Sequence, residues 1–160
     1  MIKLYLREGR RIARYHEAWA EAKVLIDHSG VVGTKGVVRR VPREPGRSEQ
    51  AEVRAFLAPA RELGYKPLRH AQHRVLLIEY RVRGMGTAKD LHKRHDLEDR
   101  MNELLGWRGL GHCDGGSIGS GTMDCCFLVV DFDVAKKVIE RNLRSTAFAD
   151  YTRIHEQGTG

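Results

Sequence analysis

The chain has 160 residues, 41% of them hydrophobic, and carries 28 Lys+Arg against 21 Asp+Glu for a formal net charge of +7. That content supports a real core in one domain or two small ones, and only four prolines with no long polar run argue against extensive disorder. The longest apolar run, around Cys125 to Val130, is too short for a membrane-spanning helix, and the charged, alternating start MIKLYLREGRR lacks the apolar core of a secretion signal.

In chain order, Ile2, Leu4 and Leu6 alternate with Lys3, Tyr5 and Arg7, the period of a half-buried strand, and Glu8-Gly9 is a turn signal. A second strand is predicted from Ile12 to Trp19. KVLIDHS then leads into VVGTKGVV, where Gly33-Thr34-Lys35-Gly36 between paired valines reads as a hairpin. Arg39 and Arg40 continue the outgoing strand, and Pro42 and Pro45 end it. Ser48 is suited to cap a helix. Its apolar stripe is Val53, Phe56, Leu57 and Ala60, weakened or kinked at Pro59 and closed by Gly64 with Pro67 beyond. Residues 1–68 are thus predicted to be a β-meander plus one helix.

The second half has another rhythm. In RVLLIEYRV, Leu76, Ile78, Tyr80 and Val82 share one face of a strand. KDLHKRHDLEDRMNELLGW is a helix with the core stripe Leu97, Met101, Leu104 and Leu105. A glycine-rich stretch, GLGHCDGGSIGSG, precedes the continuous apolar strand DCCFLVVDF. Asp133 is expected to cap a helix running through Arg144, with Val134, Ala135, Val138, Ile139 and Leu143 apolar, and YTRIHE is a last strand. The order β-α-β-β-α-β is that of the ferredoxin-like fold, whose first and third strands are central, and those two are the most apolar here. The expected class is therefore α+β, with modules at 1–68 and 73–157 joined near Lys66 to His73.

The charge is divided unevenly. Residues 1–70 hold 15 basic and 8 acidic side chains, a net +7, whereas residues 71–160 hold 13 of each. A basic module beside a neutral one suggests that the first meets a polyanion. Three cysteines, an odd number without a regular framework, suggest reduced thiols and a cytoplasmic setting.

The stretch HSGVVGTKG, His28 to Gly36, resembles the signature of the WGR domain, a Trp-Gly-Arg triplet usually continued by Val-Gly-x-x-Gly. Gly30, Val32, Gly33, Lys35 and Gly36 match it, and the flanking strands and helix fit over residues 1–68. The resemblance implies a β-meander with a helix and a module that contacts DNA ends or neighbouring domains. Ser29 stands at the family's tryptophan and Val31 at its arginine, which removes a stacking platform and a phosphate-pairing guanidinium. The second half is similar to ferredoxin-like domains of uncharacterised bacterial proteins, a likeness that implies a fold and no activity. Candidate phosphate contacts are Lys35, Arg39, Arg40, Arg43 and Arg47 downstream, with Arg10, Arg11 and Arg14 upstream, beside Arg7.

Other chemistry finds little purchase. No Walker loop occurs, and Gly116, Gly119 and Gly121 have the reverse of the dinucleotide spacing and lead into a strand. Those glycines read as a bulged or wide hairpin. His112 and Cys113, as strand neighbours, point to opposite faces, so one cannot easily activate the other. Asp114, Ser117 and Ser120 are candidate ligand contacts, Asp114 also being suited to ordering the turn. His92, His95, Asp96 and Asp99 share a helix face that points to water, and Cys125 and Cys126 cannot jointly chelate, so neither a metal nor a cofactor is expected. An RNA-recognition reading needs exposed aromatics on the central strands, and only Tyr80 and Phe127 are on offer. The leading expectation is a non-enzymatic binding protein whose basic module contacts nucleic acid without reading sequence. A protein–protein module, such as a bacterial immunity or regulatory partner, and a small-molecule site at the glycine-rich stretch are the alternatives.

Overall fold

The computed structural model describes residues 1–44 and 46–158, so Pro45 lies outside the described residues. The chain divides into two compact units, Met1–His70 and the remainder from Ala71. Both are α+β, each with one antiparallel four-stranded sheet.

In the first unit, β1 (Ile2–Glu8), β2 (Arg11–Glu21), β3 (Val24–Val31) and β4 (Val37–Pro42) pair in chain order. The β3–β4 turn follows from Gly33 and Gly36, whose φ of 94° and 66° suit glycine. The single helix expected after it is two, α1 (Glu49–Phe56) and α2 (Ala58–Glu62). Ser48 caps α1, its hydroxyl accepting from the Ala51 N–H at 3.3 Å. The break falls at Leu57, with φ −85° and ψ 0°, because Pro59 has no N–H to continue the ladder and is tolerated only in a first turn. The apolar stripe survives the break: Val53, Leu57 and Ala60 bury against Leu4, Ala18 and Leu25, with Phe56 and Tyr65 alongside. Both faces of the sheet are occupied, since Tyr15, Ile26 and His28 are buried on the side away from the helices.

In the second unit, β5 (Arg74–Arg81), α3 (Ala88–Gly106), β6 (Gly111–Gly119), β7 (Thr122–Val129), α4 (Phe132–Leu143) and β8 (Arg153–Glu156) build a sheet ordered β6-β7-β5-β8. Leu76, Ile78 and Tyr80 of β5 pair with Phe127, Cys125 and Met123 of β7. That face is buried with Leu97, Met101, Leu104 and Leu105 of α3 and Ala135, Ile139 and Leu143 of α4. The two helices lie side by side there, Arg100 on α3 donating to the Asn142 side chain on α4 at 2.8 Å. Thr87 and Asp90 form a reciprocal capping box at the start of α3, and it holds the Asp90 carboxyl below its ordinary range, chiefly by the Thr87 hydrogen bonds.

One expected cap moves. Asp131, not Asp133, caps α4, its carboxylate accepting from the Val134 N–H at 3.0 Å, and the helix ends at Leu143. Asp131 is the extended residue leaving β7, with φ −146° and ψ 110°, which is the cap conformation. Asp133 already lies in the first helical turn, where its charge suits the helix dipole.

Candidate nucleic-acid interface

The register of the first sheet decides which cations share an end of it. Arg14 on β2 pairs with Val31 on β3, and the Val32 N–H donates to the Ala13 carbonyl at 2.9 Å. The β1–β2 turn and the β3–β4 turn therefore share one end of the sheet. Arg10, Arg11, Arg14 and Lys35 all lie toward that end, and all four are exposed. Arg14 pairs with Glu8 at 3.5 Å, and because both side chains are exposed the pair is weak. Arg39 and Arg40 lie further along β4, both exposed and on opposite faces of the strand. Neither they nor Lys35 makes an ion pair among the described residues.

The other two candidates are elsewhere and engaged. At the far end of β4, Arg43 donates to Glu52 at 2.8 Å, to Glu49 at 3.2 Å and to the Ala22 carbonyl at 3.1 Å. The hydrogen bond to Glu52 raises the Arg43 pKa above its usual value and holds the Glu52 carboxyl below its own. Arg43 is thus a clip between the β4 exit and α1. Arg47 pairs with Glu44 at 3.3 Å.

A buried clamp fixes the turn that presents Lys35. His28 Nδ1 donates to Glu17 at 2.7 Å, and Nε2 faces both the Lys35 carbonyl at 2.6 Å and Tyr15 Oη at 3.0 Å. Tyr15 Oη donates to the Thr34 carbonyl at 3.1 Å. The ring is thus held between the Glu17 carboxylate on one side and the Lys35 carbonyl on the other, and Glu17 also meets Lys3 at 2.9 Å. The matched glycines make the clamp sterically possible. A Cβ on Gly36 would fall 2.3 Å from Tyr15 Oη and 2.4 Å from the Ser29 carbonyl oxygen, and one on Gly30 would fall 2.7 Å from Gly36 Cα. Sequence reasoning took His28 only as a motif neighbour. The missed signal is the cross-strand pairing of Glu17 with His28, which needs the register to be known.

The glycine-rich stretch is a strand for most of its length. Register slips between Cys113 and Gly115, leaving Asp114 as an exposed bulge residue. Ser117 is exposed within β6, and Ser120 sits in the β6–β7 turn at φ 52°. The three candidate ligand contacts are strung along one hairpin over roughly 20 Å at strand rise and do not converge. His112 is exposed and Cys113 half-buried, and burial pushes the Cys113 thiol up, away from a reactive thiolate. Cys125 is fully buried, and burial pushes its thiol and that of Cys126 up as well. His92, His95, Asp96 and Asp99 are exposed along α3, and no metal-holding cluster of three or more His, Cys, Asp or Glu occurs among the described residues. Tyr80 and Phe127 lie beneath the helices, so they offer no stacking platform. No helix among the described residues is long and apolar enough to cross a membrane.

Comparison with protein-family models, with curated proteins and with solved structures returns no match for this chain.

Proposed function

We propose that this chain is a non-enzymatic binding protein, whose first unit is a WGR-like module that contacts nucleic-acid phosphates and whose second is a ferredoxin-like module. The observation that carries the binding role is the placement of the exposed Arg10, Arg11, Arg14 and Lys35 toward one end of the first sheet, in the half of the chain that holds the whole net charge. Exposed guanidinium and ammonium groups at one end of a rigid sheet neutralise phosphates without reading bases. The His28 clamp contributes by holding the Lys35 turn in place before any ligand arrives. For the fold names, support comes from the glycines at 30, 33 and 36 and from the second sheet's order, with β5 and β7 central.

The test is binding of a duplex DNA oligonucleotide by the full chain across a salt series. The triple variant Arg10→Glu, Arg14→Glu, Lys35→Glu is expected to bind at least tenfold more weakly, with a salt slope shallower by about 2 to 3. Arg43→Glu, whose native side chain is engaged internally, serves as the contrast and is expected to change stability more than binding. No salt-dependent binding by the wild-type chain, or an unchanged triple variant, would sink the proposal.

A further inference from the structure

The two edges of the first sheet are treated differently. The outer edge of β1 is closed: Tyr5 and Lys66 exchange backbone hydrogen bonds of 2.8 and 2.9 Å. The outer edge of β4 is open. The Arg43 N–H donates to the Lys23 carbonyl, and Leu25 pairs with Val41, so Val37, Arg39 and Val41 turn their backbone groups toward β3. Val38 and Arg40 therefore turn theirs outward, where no backbone partner meets them among the described residues. Pro42, next in that series, offers only a carbonyl. The side chains add to this. Val37 and Val38 are 60% and 44% exposed on either side of the strand, beside Arg39 and Arg40. Where β4 passes α1, a groove of about 250 Å³ opens, lined by Leu25, Val41, Pro42, Ala55 and Phe56 together with Glu44 and Arg47, which pair with each other, and Glu52, which pairs with Arg43.

We infer that β4 is a strand-addition site for an extended, acidic peptide segment of a partner protein. The segment pairs with the outward N–H and C=O groups of Val38 and Arg40 and seats an apolar side chain in the groove beside Val41 and Phe56. Its acidic residues face Arg39 on one side of the extended sheet and Arg40 on the other. Backbone pairing supplies affinity in this mode, and the alternate side chains supply specificity. The charge selects the occupant: a second copy of this chain, paired β4 to β4 about a two-fold axis at Arg39 or Arg40, would set arginine against arginine. Nucleic acid has no ladder to offer Val38, so the inference stands apart from the phosphate contact at the turn end and can fail without it.

The experiment is selection from a random twelve-residue peptide library displayed on phage, with the full chain as bait, followed by fluorescence polarisation of a recovered peptide. Proline at Val38 removes an outward N–H and leaves the ladder to β3 intact, so Val38→Pro isolates the edge. Arg39→Glu with Arg40→Glu, both on exposed positions, is the second variant should the first fail to fold. Recovered peptides are expected to alternate apolar and acidic residues, and each variant is expected to weaken binding at least tenfold while its melting temperature stays within about 8 °C of the parent chain. Background-level enrichment, recovery of basic peptides, or binding by both variants as tight as that of the parent chain overturns the inference. So does a single-stranded DNA oligonucleotide that displaces the peptide and binds the Val38→Pro chain as tightly as wild type, since a general polyanion patch would then account for the data.

Discussion

β4 and β6 are both outer strands, and they meet the same problem in opposite ways. An outer strand presents unpaired N–H and C=O groups that invite another chain. On β6 those groups are covered from above by α3: the Cys113 N–H donates to the Asn102 side chain at 3.0 Å, and Arg94 donates to the Gly116 carbonyl at 2.9 Å. Glycine makes that approach possible, since a Cβ on Gly116 would fall 2.4 Å from the Asp124 carbonyl and 2.6 Å from Glu98 Oε1. Among the described residues no helix side chain bonds to the outward groups of β4, and that strand carries valines and arginines in place of glycines. The difference teaches that the glycine-rich stretch, the segment most like a ligand loop, is a sealed structural seam. The plainer stretch VVRRVP keeps its edge available.

The comparison can be broken or sharpened by substitution. The largest effect is expected at Gly111, where φ is 150° and a Cβ would sit 2.0 Å from the Leu128 carbonyl oxygen. Gly111→Ala is expected to cost about 4 kcal/mol in urea unfolding, against about 2 kcal/mol for Gly115→Ala, which meets only backbone strain. A small cost for Gly111→Ala would show that β6 is not tightly packed against β7. Next, Arg39→Pro removes an inward ladder bond of β4 and is expected to cost about 3 kcal/mol, whereas Val38→Pro stays within about 1 kcal/mol. Equal losses would place the open edge on the wrong residues. Asn102→Ala uncovers the Cys113 N–H and is expected to cost about 1 kcal/mol, with faster amide exchange at Cys113 as the local readout.

The smallest effect concerns Asp124, which pairs with Ser117 across β6–β7 on the face without helices. Burial, then the neighbouring Glu79, raises its carboxyl pKa, while His155 and Arg153 act the other way. A raised folded-state pKa means the fold favours the protonated acid, so this contribution to stability is present at low pH and is lost as pH rises through that pKa. Asp124→Asn is expected to melt higher at pH 7 by no more than roughly 2 °C, a gap that closes as the pH is lowered. A gap that widens on acidification would reverse the sign assigned to this site.

Much of the fold was legible because its signals are local. The stripe Leu97, Met101, Leu104 and Leu105, the Ser48 cap and the Gly33–Gly36 turn each depend on residues within a few positions of one another, and each stands as read. Where two local solutions compete, the reading slipped by a short distance. Asp131 and Asp133 could each cap a helix, and the strand exit chose the former. Val53 and Ala60 lie on one stripe, yet Pro59 divides the helix beneath it.

The candidate site was legible only as a list of cations. Composition and order alone determined that the first seventy residues carry all the net charge, that the chain is α+β, and that neither a Walker loop nor a dinucleotide fingerprint is present. Only the tertiary structure decided that Arg10, Arg14 and Lys35 lie at one end of the first sheet, that Arg43 is held by Glu52, and that β4 rather than β6 has the open edge. The physical reason is that strand register and helix placement join residues far apart in sequence. A charge's availability depends on which partner folding brings beside it, and a strand edge's availability on what lies across from it.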